Sequence, residues 1–110
     1  MKHIMRLNNG PFESVKSGTK TIELRLNDEK RSLINEDDII EFENRTTGEK
    51  IEVKVLRLHK YNSFEELYKR FDKVSLGYKQ DEVANPSDME EYYSKEEQEQ
   101  YGVLGIEITL

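Results

Sequence analysis

The sequence predicts an α+β domain in which a curved sheet or small barrel is flanked by short helices. Three observations carry that expectation. Residues 21–26 alternate strictly between polar and apolar, the pattern of a half-buried strand. Two further strand-like runs, 39–44 and 50–60, are joined by a short Gly-containing segment that suits a hairpin. Ser-x-x-Glu helix starts recur at Ser63, Ser87 and Ser94. Helices mixed with mainly hairpin-connected strands favour α+β over a regular βαβ array.

Each element follows in turn. His3 to Leu7 reads as the first strand, and Asn8-Asn9-Gly10-Pro11 as a turn into a helix over Pro11 to Ser17. Phe12 and Val15 share one face of that helix, and Gly18 stops it. In Thr21 to Leu26, Ile22, Leu24 and Leu26 are expected to face the core, with Thr21, Glu23 and Arg25 on the other face. Residues 27–38 form a polar connection in which Leu33 and Ile34 touch the core. In the longer hairpin strand, Ile51, Val53, Val55 and Arg57 share one face, while Leu56 and Leu58 on the other imply burial on both sides of its far half. A helix starting at Ser63 presents Phe64, Leu67, Tyr68 and Phe71 as an apolar stripe. After a loop over 72–86, two short helices carry Tyr92, Tyr93 and Tyr101 inward. Gly102 ends the second of these, and Val103 to Leu110 is the closing strand.

A chain of 110 residues fits one domain, 1–110. At 35% hydrophobic and 36% charged residues, it has a small core with long charged side chains over the surface. No stretch approaches the ~20 apolar residues of a membrane helix, and MKHIMRLNNG has no apolar signal-peptide region. The absence of cysteine excludes disulfides, thiolate catalysis and Cys-based zinc sites, and a cytoplasmic location is expected. The net charge of −6 opposes tight non-specific nucleic-acid binding. It is uneven, however: residues 1–60 hold 12 basic and 11 acidic side chains, and residues 61–110 hold 5 and 12. An anionic ligand should prefer the first half.

The stretch richest in chemistry is Gly18-Thr19-Lys20-Thr21-Ile22-Glu23-Leu24-Arg25. Glu23 and Arg25 lie about 7 Å apart along one strand face, so both can reach one ligand. Lys and Arg beside a carboxylate suit a phosphate or a polar base, the cations binding oxygens and the carboxylate accepting from amino groups. A partly buried Lys20 can also act as a base with Glu23 as proton partner. The ordinary alternative is an exposed strand face with a Glu–Arg pair worth about 0–1 kcal/mol.

This stretch, Gly-x-Lys-x-x-Glu-x-Arg after a short helix carrying Phe12 and Val15, resembles the signature of the ASCH domain family. The segment from Glu36 to Phe42 is similar to a family segment with Gly-Asp before a strand, with Asp37 in place of the Gly. The ending from Tyr101 to Ile108 resembles the family's last strand. The resemblance implies a PUA-like β-barrel of about five to six strands flanked by short helices. It also implies a cleft beside the barrel that binds RNA or a nucleotide-like small molecule, with Lys20, Glu23 and Arg25 as ligand-binding residues. One branch of the family hydrolyses the acetyl amide of acetylated cytidine with a Lys, a Thr and a Glu. Lys20 falls on that Lys, but Glu23 stands at the Thr position, and residues 74–82 do not align with the branch without gaps. A small hydrolase of a nucleoside amide or of RNA, with Lys20 as base and Glu23 as partner, is therefore the alternative.

Other features carry less. His3 and His59 lack the spacing of a metal site, and His59, at the end of a strand beside Lys60 and Tyr61, is expected at the surface; neither a metal nor a cofactor is implied. Tyr61, Tyr68 and Tyr78 could stack on a base, although Tyr68 lies on the helix stripe. Lys30 and Arg31 could guide a phosphate. The acidic segment 87–101 could dock a basic partner. Binding through Lys20 and Arg25 should be modest in affinity and should weaken as salt rises.

Overall fold

The computed structural model describes residues 1–110. In chain order it contains β1 (Lys2–Leu7), α1 (Asn9–Lys16), β2 (Ile22–Leu26), β3 (Ile39–Asn44), β4 (Lys50–Tyr61), α2 (Phe64–Tyr68), α3 (Lys95–Tyr101) and β5 (Val103–Thr109). Single 3₁₀ segments occupy Arg31–Leu33 and Pro86–Glu91. The five strands form one mixed sheet in the order β1-β3-β4-β5-β2, curled into a half-barrel. The β1–β3 pair is parallel and the other three pairs are antiparallel. Expectation and structure agree on the α+β class and on the order of strands and helices. The strand number is five, and the two edge strands, β1 and β2, share no ladder.

Two apolar clusters cover the two sides of the sheet. The inner one fills the curl with Phe12 and Val15 of α1, Ile40 and Phe42 of β3, Val53 and Val55 of β4, and Leu104, Ile106 and Ile108 of β5. The outer one packs Ile22, Leu24 and Val103 against Phe64, Leu67, Leu76 and Met89 from the helical segment. Register makes the division explicit. Glu23 and Arg25 stand opposite Ile106 and Leu104, on the inner face, whereas Ile22 and Leu24 stand opposite Glu107 and Gly105, on the outer face. Gly105 admits the helical layer, because a Cβ there would lie 3.2 Å from both Ile22 and Leu67. The polar face of β2 thus looks into the curl, and its apolar face looks toward the helices. Both are buried, because helices and loops cover the side that alternation alone assigns to solvent.

Several local expectations are corrected. A bulge between Val55 and Arg57 resets β4. Leu56 and Arg57 are therefore exposed, Leu58 joins the inner cluster, and His59 and Tyr61 turn to the outer side. Leu33, Tyr92 and Tyr101 also point outward, while Ile34 and Tyr93 pack inward as expected. Ser63 and Ser94 cap their helices, and Ser94 with Glu97 completes a reciprocal capping box. The 3₁₀ segment at 86–91 is capped instead by Asn85, whose side chain accepts from the Ser87 amide, because Pro86 supplies its first position. Phe71 lies beyond α2 but still packs on the outer cluster. His3 and His59 are paired side chains rather than free surface groups: His3 meets Asp38 at 2.8 Å and His59 meets Glu107 at 2.9 Å.

Asp37, where the resembling family has Gly, has φ of +71°. That conformation costs an L-residue roughly 1–2 kcal/mol, less for Asp than for most. Its amide donates to the Val55 carbonyl at 2.8 Å, and the turn carries the chain into β3. The Asp37 side chain is 82% exposed, so substitution removes little else. Asp37→Ala is expected to be about 1 kcal/mol less stable than Asp37→Gly in paired urea denaturation curves.

Candidate functional site

The Gly-x-Lys-x-x-Glu-x-Arg stretch begins where α1 ends. Gly18 takes φ of +84°, and the turn it makes lets the amides of Thr19 and Lys20 both donate to the Ser14 carbonyl. The next two amides, Thr21 and Ile22, both donate to the Ser75 carbonyl at 3.0 Å. Lys20 is thereby held between the end of α1 and the loop after α2. Gly77, at φ of +106°, lies over its aliphatic stem, and a Cβ there would sit 3.1 Å from Lys20 Cδ. Lys73 fixes the same loop by donating to the carbonyls of Gln80 at 2.7 Å and Glu82 at 2.6 Å.

Glu23 is the centre of the cluster and is 3% exposed. Lys20 Nζ lies 2.9 Å from its Oε1, which also accepts from the Leu24 amide at 3.1 Å. Its Oε2 accepts from Arg25 Nη2 at 3.0 Å and Nε at 3.3 Å. Burial by itself would raise the Glu23 carboxyl; the two cations override it and hold the carboxyl at about 2. The cluster is therefore a buried cation–anion–cation row, not the exposed Glu–Arg pair of the ordinary alternative. Arg25 Nη2 also donates to the Arg6 carbonyl at 3.2 Å, joining the two edge strands across the opening of the curl.

The row lies in the wall of a cavity of about 740 Å³. Arg6 lines it from β1, Arg45 from the turn between β3 and β4, Lys79 and Glu82 from the loop over Lys20, and Asp88 and Glu91 from the 3₁₀ segment. Four tyrosines, at 68, 78, 92 and 93, supply its aromatic surface. Two of them are committed internally. Tyr78 donates to Asp88 at 2.8 Å, which leaves its oxygen to accept from Tyr68 at 2.9 Å. Burial first, then these bonds, raise the Tyr78 phenol, so it stays a hydroxyl. Tyr93 is stacked on Phe64, whereas Tyr92 is 58% exposed and its ring is open to a ligand.

Lys20, Glu23, Arg25, Tyr68 and Tyr78 all line one cavity, and Tyr68 also packs on the outer cluster, the core position its helix stripe suggested. It places Tyr61 elsewhere, against Phe71. Arg31 is engaged by Asp28 at 2.7 Å, and neither it nor Lys30 lines the cavity. Arg6, Arg45 and Lys79 were not singled out in the sequence, and Tyr92 was expected in the core rather than in a site. They come from four separate segments, and only the topology assembles them. There is no group of three or more His, Asp or Glu side chains arranged to hold a metal ion.

Comparison with known proteins agrees with this architecture. The ASCH domain model matches residues 5–110. The crystal structure of the archaeal hypothetical protein PH0355 superposes with a TM-score of 0.78 at 35% identity, covering 98% of this chain and 97% of that one. The solution structure of protein PF0455 from Pyrococcus furiosus gives 0.70 at 33% identity, covering 98% and 96%. No curated protein matches the chain.

The Glu23 row makes stability depend on pH in a definite direction. A carboxyl held at about 2 when folded, against its ordinary 4.5, stabilises the fold fully above the ordinary value. That contribution declines as pH falls and is gone below the folded value. Glu23→Gln leaves two cations with no buried counter-charge and is expected to cost about 3 kcal/mol near neutral pH. The gap from wild type should close by a pH of about 2, as read from denaturation midpoints across the acid range.

Proposed function

The chain belongs to the ASCH domain family, and from that premise we propose that it binds RNA or a nucleotide-like ligand through the cavity beside its curled sheet. Lys20 and Arg25 contact phosphate or base oxygens, and Glu23 orients them. The observation that supports this reading is the distribution of donors and acceptors around Glu23. Four N–H groups already converge on its two oxygens, so it has little left to offer a ligand. Its cations are not used up. An ammonium has three donors, of which Lys20 gives one to Glu23. Arg25 commits Nε and Nη2 to Glu23 and Arg6 and also meets the Tyr93 hydroxyl, so the spare donors of the row are mainly those of Lys20. The motif thus presents donors only, which suits an anionic or carbonyl oxygen. Of the two roles the sequence offers Glu23, orienting its neighbours fits this arrangement and accepting from a base does not.

The hydrolase alternative has less support. Glu23 as proton partner has to take up a proton and give it back, and a carboxyl held at about 2 is a poor acceptor near neutral pH. The binding reading also accounts for the exposed Tyr92 and for Arg45 and Lys79 in the cavity wall.

Lys20→Met keeps the stem beneath Gly77 and removes the donors. It is expected to weaken binding of adenosine monophosphate and of a short oligoadenylate by about tenfold or more in titration calorimetry. Lys50→Ala should leave both within about twofold. Wild-type affinity should fall between about 50 and about 300 mM salt. A cooperative melt shows that Lys20→Met is folded; a folded variant that binds like wild type overturns the proposal. Arg25 is left unchanged in this test because it also joins the sheet edges.

A further inference from the structure

The negative charge of this protein is concentrated in one place. Residues 79–101 hold eight acidic and two basic side chains, a net of −6, which equals the net charge of the whole chain. All eight of these carboxylate residues are exposed. The same segment builds one side of the cavity, with Glu82, Asp88 and Glu91 in its lining.

The cations of β1 and α1 at Arg6, Lys2 and Lys16 are paired with carboxylates. Arg6 pairs with Glu43 at 3.3 Å, Lys2 with Glu41 and Glu52 at 3.1 and 2.9 Å, and Lys16 with Glu49 at 2.7 Å. These pairs leave no unmatched basic track along β1 and α1. Within the cavity, five cationic side chains face four acidic ones, and one of the five, Arg6, is already paired with Glu43 outside the lining, so the wall is close to neutral overall. The volume of about 740 Å³ falls within the range of small-molecule sites.

A polynucleotide needs the reverse of this layout. Each added nucleotide brings another phosphate, and affinity for a strand grows with the number of phosphates neutralised. Here the exposed carboxylates of Glu82, Asp88 and Glu91 stand in the cavity wall itself, where phosphates flanking a bound nucleotide would meet them. We propose that the cavity takes a single free nucleotide, a nucleoside monophosphate, and disfavours the same nucleotide within a longer strand. This rests on the nucleotide-binding reading above and narrows it. The Lys20–Glu23–Arg25 row meets one phosphate, Tyr92 offers a face to the base, and the segment 79–101 repels the rest of a chain.

The test compares the four ribonucleoside 5′-monophosphates with the four matching homopentamers by titration calorimetry of the full chain. At least one monophosphate should bind, with its pentamer about tenfold weaker at about 50 mM salt. The gap should narrow at about 300 mM salt as the rim is screened. The triple variant Asp81→Asn/Glu90→Gln/Glu96→Gln neutralises exposed carboxylates that do not line the cavity. It should tighten pentamer binding by about tenfold and leave the monophosphate within about twofold. A pentamer that binds as tightly as its monomer, or more tightly, overturns the single-nucleotide inference and leaves nucleotide binding standing. If neither monomers nor pentamers bind, the underlying reading fails and this inference fails with it.

Discussion

A carboxylate on the inner face of the sheet must be compensated or the curl cannot close around it. Taking an isolated carboxylate out of water costs several kcal/mol even after relaxation, and Glu23 is 3% exposed. Its compensation comes from both directions along the chain. Lys20 reaches it from the turn after α1, and Arg25 from two residues further along β2. The requirement spreads outward from there. Lys20 is in position because Ser14 and Ser75 accept the amides around it and Gly77 leaves room for its stem. Arg25 is in position because the sheet curls enough for its guanidinium to meet the Arg6 carbonyl on the opposite edge. The strand order, the loop over Lys20 and the cavity beside them all meet at this one charge.

Much of the fold was legible in the sequence because its elements are locally consistent. The alternation in β2, the Gly48 hairpin and the Ser63 and Ser94 caps each depend on neighbouring residues, and each appears where the pattern put it. That the polar face of β2 is buried as well as its apolar face was not legible, for a physical reason. Alternation distinguishes two sides of a strand but does not say what lies against either. Here Ile22 and Leu24 meet helices packed on the outside, and the polar side meets the interior. The bulge in β4 was likewise invisible, because the run from Lys50 to Tyr61 has no Gly or Pro to mark it. The motif residues were found by their spacing. Arg6, Arg45, Lys79 and Tyr92 had no such signal, since their proximity is created by chain topology.

The charge of the molecule has two scales with opposite sign. Locally, the motif is a cationic row with one carboxylate inside it and donors to spare. Globally, the segment that covers one side of that row is strongly acidic. Whole-chain net charge therefore says little about the site, and the site says little about what approaches the surface. Screening separates the two, since close contacts within the row are shielded from salt far more than the field of the exposed rim.

The bond from Arg25 to Arg6 has a mechanical meaning as well as an electrostatic one. The half-barrel is open along one seam, and a side chain of the cavity wall is the tie across it. A guest held only by Nη1 would leave that tie fastened, so the scaffold need not yield when the guest arrives. A guest that drew Nη2 away from the backbone would have to part β1 from β2. Occupancy would then be felt along the length of both strands, as a change in the stiffness of the half-barrel itself.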